Sequence, residues 1–204
     1  MCGGWHRLGR GLRALGCVRR CRPELPCHNW VVTSEYPIPA RTNDERELLL
    51  RFLRRQRAEV IAAAVGLNEE QARWTPDGAL LPIIGIINHL TQVEWRWIDG
   101  RYLRRPFPSR REEFHLDREL SLMQVVDAYR ARGEQTDHIV SEAPSLETVC
   151  LGREGDGQPA HVLLGLAEPL DLRWAVLHLI EETAHHAGHA DSTRELIDGK
   201  KLRA

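Results

Sequence analysis

The segment His178-Leu-Ile-Glu-Glu-Thr-Ala-His-His-Ala-Gly-His189 puts four histidines and two glutamates into one stretch that reads as a helix. Imidazole nitrogens and carboxylate oxygens are what proteins offer to divalent metals. With His178 set at zero and about 100° per residue, Glu182 falls near ~40°, His186 near ~80°, His189 near ~20° and His185 near ~−20°. Five ligand-type side chains therefore share a stripe. The opposite side of the helix carries Arg173, Ala184, Asp191 and Glu195, so the stripe is predicted to point inward. Buried imidazoles and carboxylates need partners, and a divalent metal supplies them. A solvated surface cluster of histidines and a metal-free buried polar network are the alternatives that this spacing leaves open.

Those residues need helices to hold them. Thr42 with Glu45 forms a capping-box pattern, and Leu48, Leu49, Phe52, Leu53, Gln56, Val60, Ala63 and Ala64 then recur at helical spacing. A short helical turn over 67–74 stops at Thr75-Pro76-Asp77-Gly78, and Pro82 fits the first turn of a second, strongly apolar helix. Ser121 with Gln124 opens a third helix, and Asp171 caps a fourth that ends at Asp198-Gly199. The predicted spans are 43–65, 82–102, 121–142 and 171–197, with no competing strand alternation. They make an all-α four-helix bundle with long crossover connections. Bundle sites draw on facing helices, and His89 is the histidine of the second one, set among apolar residues in Ile86-Ile-Asn-His-Leu90. It is either a third ligand or a core histidine donating to a helix carbonyl. Trp95 and Trp97 are expected to pack in the bundle.

Composition narrows the function classes. The 204 residues allow one domain, over 41–204, behind an N-terminal segment 1–40. Lys+Arg number 28 against 29 Asp+Glu, with lysine only at Lys200 and Lys201, so no basic stripe argues for nucleic acid. No apolar run is long enough to span a membrane. Residues 1–40 hold Cys2, Cys17, Cys21 and Cys27 among arginines and prolines, without apolar periodicity. Cys17, Cys21, Cys27 and His28 match no reliable zinc-finger spacing, and no secretory h-region is present. This segment reads as a disordered tail, or as sequence upstream of the true start, and as dispensable to the core. Cys150 lacks a basic partner and reads as structural, and no Gly-x-Ser-x-Gly elbow occurs.

Asn88-His89-Leu90 followed by Val93-Glu94-Trp95 and Trp97, together with Leu172-Arg-Trp174 leading into the histidine segment and Arg194-Glu-Leu-Ile-Asp-Gly199, resembles the DinB-like proteins over about residues 43–200. Within them it is most similar to an actinobacterial branch that includes mycothiol-dependent enzymes. The resemblance implies a four-helix bundle holding one divalent metal, zinc or nickel, with His89, Glu182 and His186 as ligands. Many members have histidine at the place of Glu182, and the usual Arg or Asn beside the motif is replaced by Ala187 here. Two imidazoles and a carboxylate leave one coordination position open. A thiol arriving there loses its proton, and a bound water is activated in the same way. The resemblance favours a thiol of the mycothiol kind, hence a metal-dependent S-transferase or isomerase. A non-catalytic accessory or stress protein with a retained metal site and a metal-dependent hydrolase are the other readings. The expected setting is cytoplasmic, with a small-molecule substrate, no nucleic acid, no membrane and, at most, a homodimer as partner.

Overall fold

Helix starts in this chain are set by side chains that close free N–H groups. Asp44 accepts from Glu47 N at 3.2 Å and opens α1, Glu45–Ala64. Thr42, predicted as the cap, sits one step outside and accepts from Asp44 N at 3.1 Å. The Asp44 carboxylate, next to the first turn, wins, since a charged acceptor suits the positive end of the helix dipole. Asn68 and Gln71 make a reciprocal capping box on the short α2, Glu69–Arg73. Pro82 stands as the N-cap of α3, Ile83–Glu94, which runs on as a π-helical stretch, Trp95–Tyr102. Ser121 and Gln124 form the expected box on α4, Leu122–Glu142. Asp171 accepts from Trp174 N at 2.8 Å to start α5, Leu172–Asp198, which ends on Gly199 at φ 74°.

The computed structural model describes residues 42–76, 81–107, 116–117, 119–150, 162, 164–165 and 167–201, all within the compact unit Val32–Ala204. The expectations for residues 1–40, including the tail and its Cys17, Cys21, Cys27 and His28, lie outside the described residues. Among the described residues there are no strands, only an isolated antiparallel bridge between Val149 and Asp171.

Ion pairs and carbonyl contacts fix the helix directions. Arg173 pairs with Glu45 at 2.8 Å where α1 and α5 begin, and Arg194 donates to Ala63 O and Val65 O at 2.7 and 2.8 Å where both end. So α1 and α5 run parallel. Arg46 donates to Ser141 O at 2.7 Å, and Leu122 N donates to Glu69 at 2.8 Å, which sets α4 antiparallel to α1. Ile83 and Ile84 share an apolar cluster with Val125 and Val126, while Val93 and Ile98 share another with Val140. Hence α3 and α4 run parallel, and the link between them must cross the length of the bundle. The order is up, down, down, up.

Two apolar cores fill this bundle, one around Leu50, Leu53, Trp97, Val140 and Leu179, the other around Val60, Ile83, Ile87, Tyr129 and Ala187. A polar belt divides them. Arg57 donates to Glu94 through two nitrogens, at 2.7 and 2.8 Å, and to Asp137 at 2.7 Å. Thr183 of α5, buried at the same level, returns its hydroxyl to Leu179 O at 2.7 Å. Gly133 leaves room for the guanidinium, since a Cβ there would sit 3.2 Å from Arg57 Cδ. Burial works against the charge of Arg57, but Glu94 and then Asp137 outweigh it and hold the guanidinium firmly protonated.

Candidate metal centre

His89, Glu182 and His186 come together on facing helices. One ligand-type atom from each lies within 4.8 Å of the others, with His89 buried and the other two half-buried. The rings of His89 and His186 meet edge-on, with centroids 4.9 Å apart and planes at 67°. His186 Nε2 stands 3.7 Å from Glu182 Oε2, close to the ~3.4 Å between two donors of a tetrahedral site with ~2.0–2.1 Å bonds. His186 Nδ1 is buried with no hydrogen-bond partner. Burial lowers the pKa of His186, Glu182 opposes that shift, and His189 and His185 reinforce it. Such an imidazole offers its lone pair near neutrality rather than a proton.

The sequence of α3 and α5 explains this convergence. On α5 the small Ala187 and Ala190 and the hydroxyl of Thr183 form the buried ridge, so the helix approaches its neighbours closely there. Glu182 and His186 sit beside that ridge, where side chains graze the core without being sealed in it. On α3, His89 lies among buried Ile86, Ile87 and Leu90.

The predicted inward stripe therefore needs correction. The buried face of α5 runs through Leu172, Val176, Leu179, Thr183, Ala187, Ala190 and Arg194, and the histidine stripe flanks it. Charged residues on the far side suggest an inward stripe, but α5 lies between bundle and solvent with a buried arc rotated toward its alanines. His185 in consequence is exposed, and His189 is half-buried, stacked 6.3 Å from His186. His178 belongs to an aromatic cluster, 5.0 Å from Trp174 and 4.8 Å from Trp97. Of the two tryptophans expected in the bundle, Trp97 is buried and Trp95 is 38% exposed.

Cys150 is buried, its backbone N–H donating to Leu170 O at 2.7 Å. Burial first, and the Asp171 carboxylate second, push its thiol up to about 12. That is the reverse of an activated nucleophile. Sequence reasoning missed the Arg57–Glu94–Asp137 belt. Its signal was present: Leu50, Leu53, Arg57, Val60 and Ala64 follow one helical face, which puts the arginine rather than Gln56 on the buried side.

A family model described as mycothiol-S-transferase matches residues 48–199. Among solved structures, a conserved protein from Enterococcus faecalis superposes with a TM-score of 0.57 at 14% identity, covering 78% of this chain and 100% of that one. At that identity the likeness is one of fold. No curated protein matches the chain.

Proposed function

Because the chain belongs to the mycothiol-S-transferase family, we propose that it joins a low-molecular-weight thiol of the mycothiol type to an electrophilic small molecule, at a divalent metal held by His89, Glu182 and His186. The observation that carries this reading is the approach of those three donors to within 4.8 Å of one another inside a family domain. The donor set suits zinc or nickel: two imidazoles and one carboxylate, with His186 Nδ1 left without a partner. When bound, the metal supplies a positive charge that stabilises a thiolate over a thiol at neutral pH.

The remaining work belongs to the chain. His89 and His186 fix two directions from facing helices, and the apolar residues around His89 keep bulk water from that side. Glu182 contributes a negative charge that tempers the pull on the substrate sulfur. In the transfer the sulfur forms a bond to the electrophilic carbon, the leaving group departs with its bonding pair, and the thiol proton passes to solvent. Cys150, the cysteine among the described residues, takes no part, since it is buried and held protonated.

The test measures bound metal by mass spectrometry in protein purified without a histidine tag, and then mycothiol conjugation to an electrophile. Metal near one equivalent with conjugation supports the proposal. Metal without conjugation of any thiol favours a non-catalytic accessory protein, and hydrolysis of an ester or amide without thiol favours a hydrolase. Protein without metal overturns the centre itself.

A further inference from the structure

His178 lies one helical turn before Glu182 and outside the three-donor set. Its Nε2 is 3.8 Å from Glu182 Oε1, while the other oxygen, Oε2, is 3.7 Å from His186 Nε2. The carboxylate thus stands between two imidazoles with one oxygen turned to each. His178 is itself held in place. Its ring stacks on Trp174 at 5.0 Å with planes 16° apart and meets Trp97 edge-on at 4.8 Å. Its other nitrogen, Nδ1, is 4.0 Å from Glu181 Oε2. Ring contacts on two sides leave an imidazole little freedom to turn.

We propose that His178 is a positioning residue: its Nε2–H holds Glu182 Oε1, so that a single oxygen, Oε2, faces the metal position. The inference rests on the metal reading given above. A carboxylate ligand left to rotate presents one oxygen or both, and an outer hydrogen bond selects between these modes. Binding through one oxygen keeps a position open for substrate, as catalytic sites require. The 3.8 Å separation is longer than a hydrogen bond, and a small side-chain rotation of Glu182 toward the ring closes it. Trp97 and Trp174 then have a role at the site without touching it, since they fix the donor that fixes the ligand.

The experiment uses the full-length chain with Co2+ as the probe, its affinity read by competition with a chromophoric chelator and its coordination by visible absorption. His178→Phe keeps a flat ring between the tryptophans and removes the donor. His178→Gln removes the ring and keeps an N–H donor. The phenylalanine variant is expected to retain its metal-free melting temperature, to bind Co2+ about 10–100-fold more weakly, and to shift the absorption bands. The glutamine variant is expected to recover most of the affinity. Unchanged affinity and spectrum in His178→Phe overturn the role. So does a loss in His178→Gln as large as that in His178→Phe, because the imidazole and not its donor would then be needed. If the phenylalanine ring disturbs folding, His178→Leu serves as the donorless variant, with a loss of about tenfold or more supporting the role and unchanged affinity overturning it. A wild-type chain that takes up no Co2+ overturns the metal reading and this role with it, whereas binding that ignores His178 overturns only the role.

Discussion

If the centre holds metal as proposed, a glutamate in place of a third imidazole changes what it does to a substrate sulfur. A carboxylate ligand lowers the net positive charge, so the ion is a weaker Lewis acid than with three neutral imidazoles. Glu182→His should keep metal and lower the pH at which the thiol binds as thiolate, read from the pH profile of conjugation. His186→Ala should lose both metal and conjugation, because two donors from different helices cannot hold the ion alone; metal content and activity measured together check this. Cys150→Ser should leave turnover unchanged, and in the folded wild-type chain iodoacetamide should leave the thiol unreacted at pH 8. The sign follows from its raised pKa of about 12. Between about pH 9 and pH 12 the folded chain keeps a proton that the unfolded chain loses, so this group's contribution to stability falls as pH rises through that window. At this scale histidine and glutamate at helical spacing pointed to the stripe, and the family resemblance singled out His89, Glu182 and His186, the three residues that converge. The rotation of α5 was not, since it depends on where Ala187 and Ala190 let other helices approach.

The second long helix shows what an element hides in its sequence. Apolar periodicity placed it over 82–102, yet from Trp95 the backbone widens into a π-helical stretch. No residue type announces that change, which arises when one extra residue must be absorbed within a packed helix. Here it keeps Trp97 and Ile98 in the core and still turns Asp99 to Arg132, 2.6 Å away on α4. Two glycines give opposite expectations. A Cβ on Gly100 would lie 2.2 Å from the ring of Phe107, so Gly100→Ala must displace that ring and should destabilise by about 1–3 kcal/mol. A Cβ on Gly188 would meet nothing within 4 Å, so Gly188→Ala should stabilise by about 0.5–1 kcal/mol through helix propensity alone. Thermal melts of the two metal-free variants, side by side, test both signs. The caps at Ser121, Asp171 and Gly199 were legible because capping chemistry is local, whereas a π-helical insertion answers to neighbours far away in sequence.

Across the whole molecule the belt of Arg57, Glu94 and Asp137 separates two apolar cores. Removing one member strands the others without water. Arg57→Met should therefore lower stability by about 3–5 kcal/mol, as breaking a buried pair does, and denaturant melts of the metal-free chain would show it. If the metal binds as proposed, it should stabilise the fold by mass action, by about 2.7 kcal/mol at a hundredfold excess over Kd, and so raise the midpoint of unfolding. The four long helices were legible because apolar periods and most caps are local, although the cap of α1 is Asp44 rather than Thr42. The bundle class followed from their number and the lack of strand alternation. The up, down, down, up order was only implied by long connections, and the contacts that prove it join residues far apart, such as Glu45 with Arg173.

Arg194 ties that topology to the order of synthesis. Near the end of the last helix, it donates to Ala63 O and Val65 O, the final carbonyls of the first. The ribosome releases α1 long before that guanidinium exists, at about 5–20 residues per second. Until α5 has left the exit tunnel, the first helix has neither its parallel neighbour nor its closing hydrogen bonds. Nascent chains stopped before Arg194 should therefore remain protease-sensitive throughout, and full protection should arrive in one step with the last turn of α5. For this domain, folding waits on the emergence of its last helix.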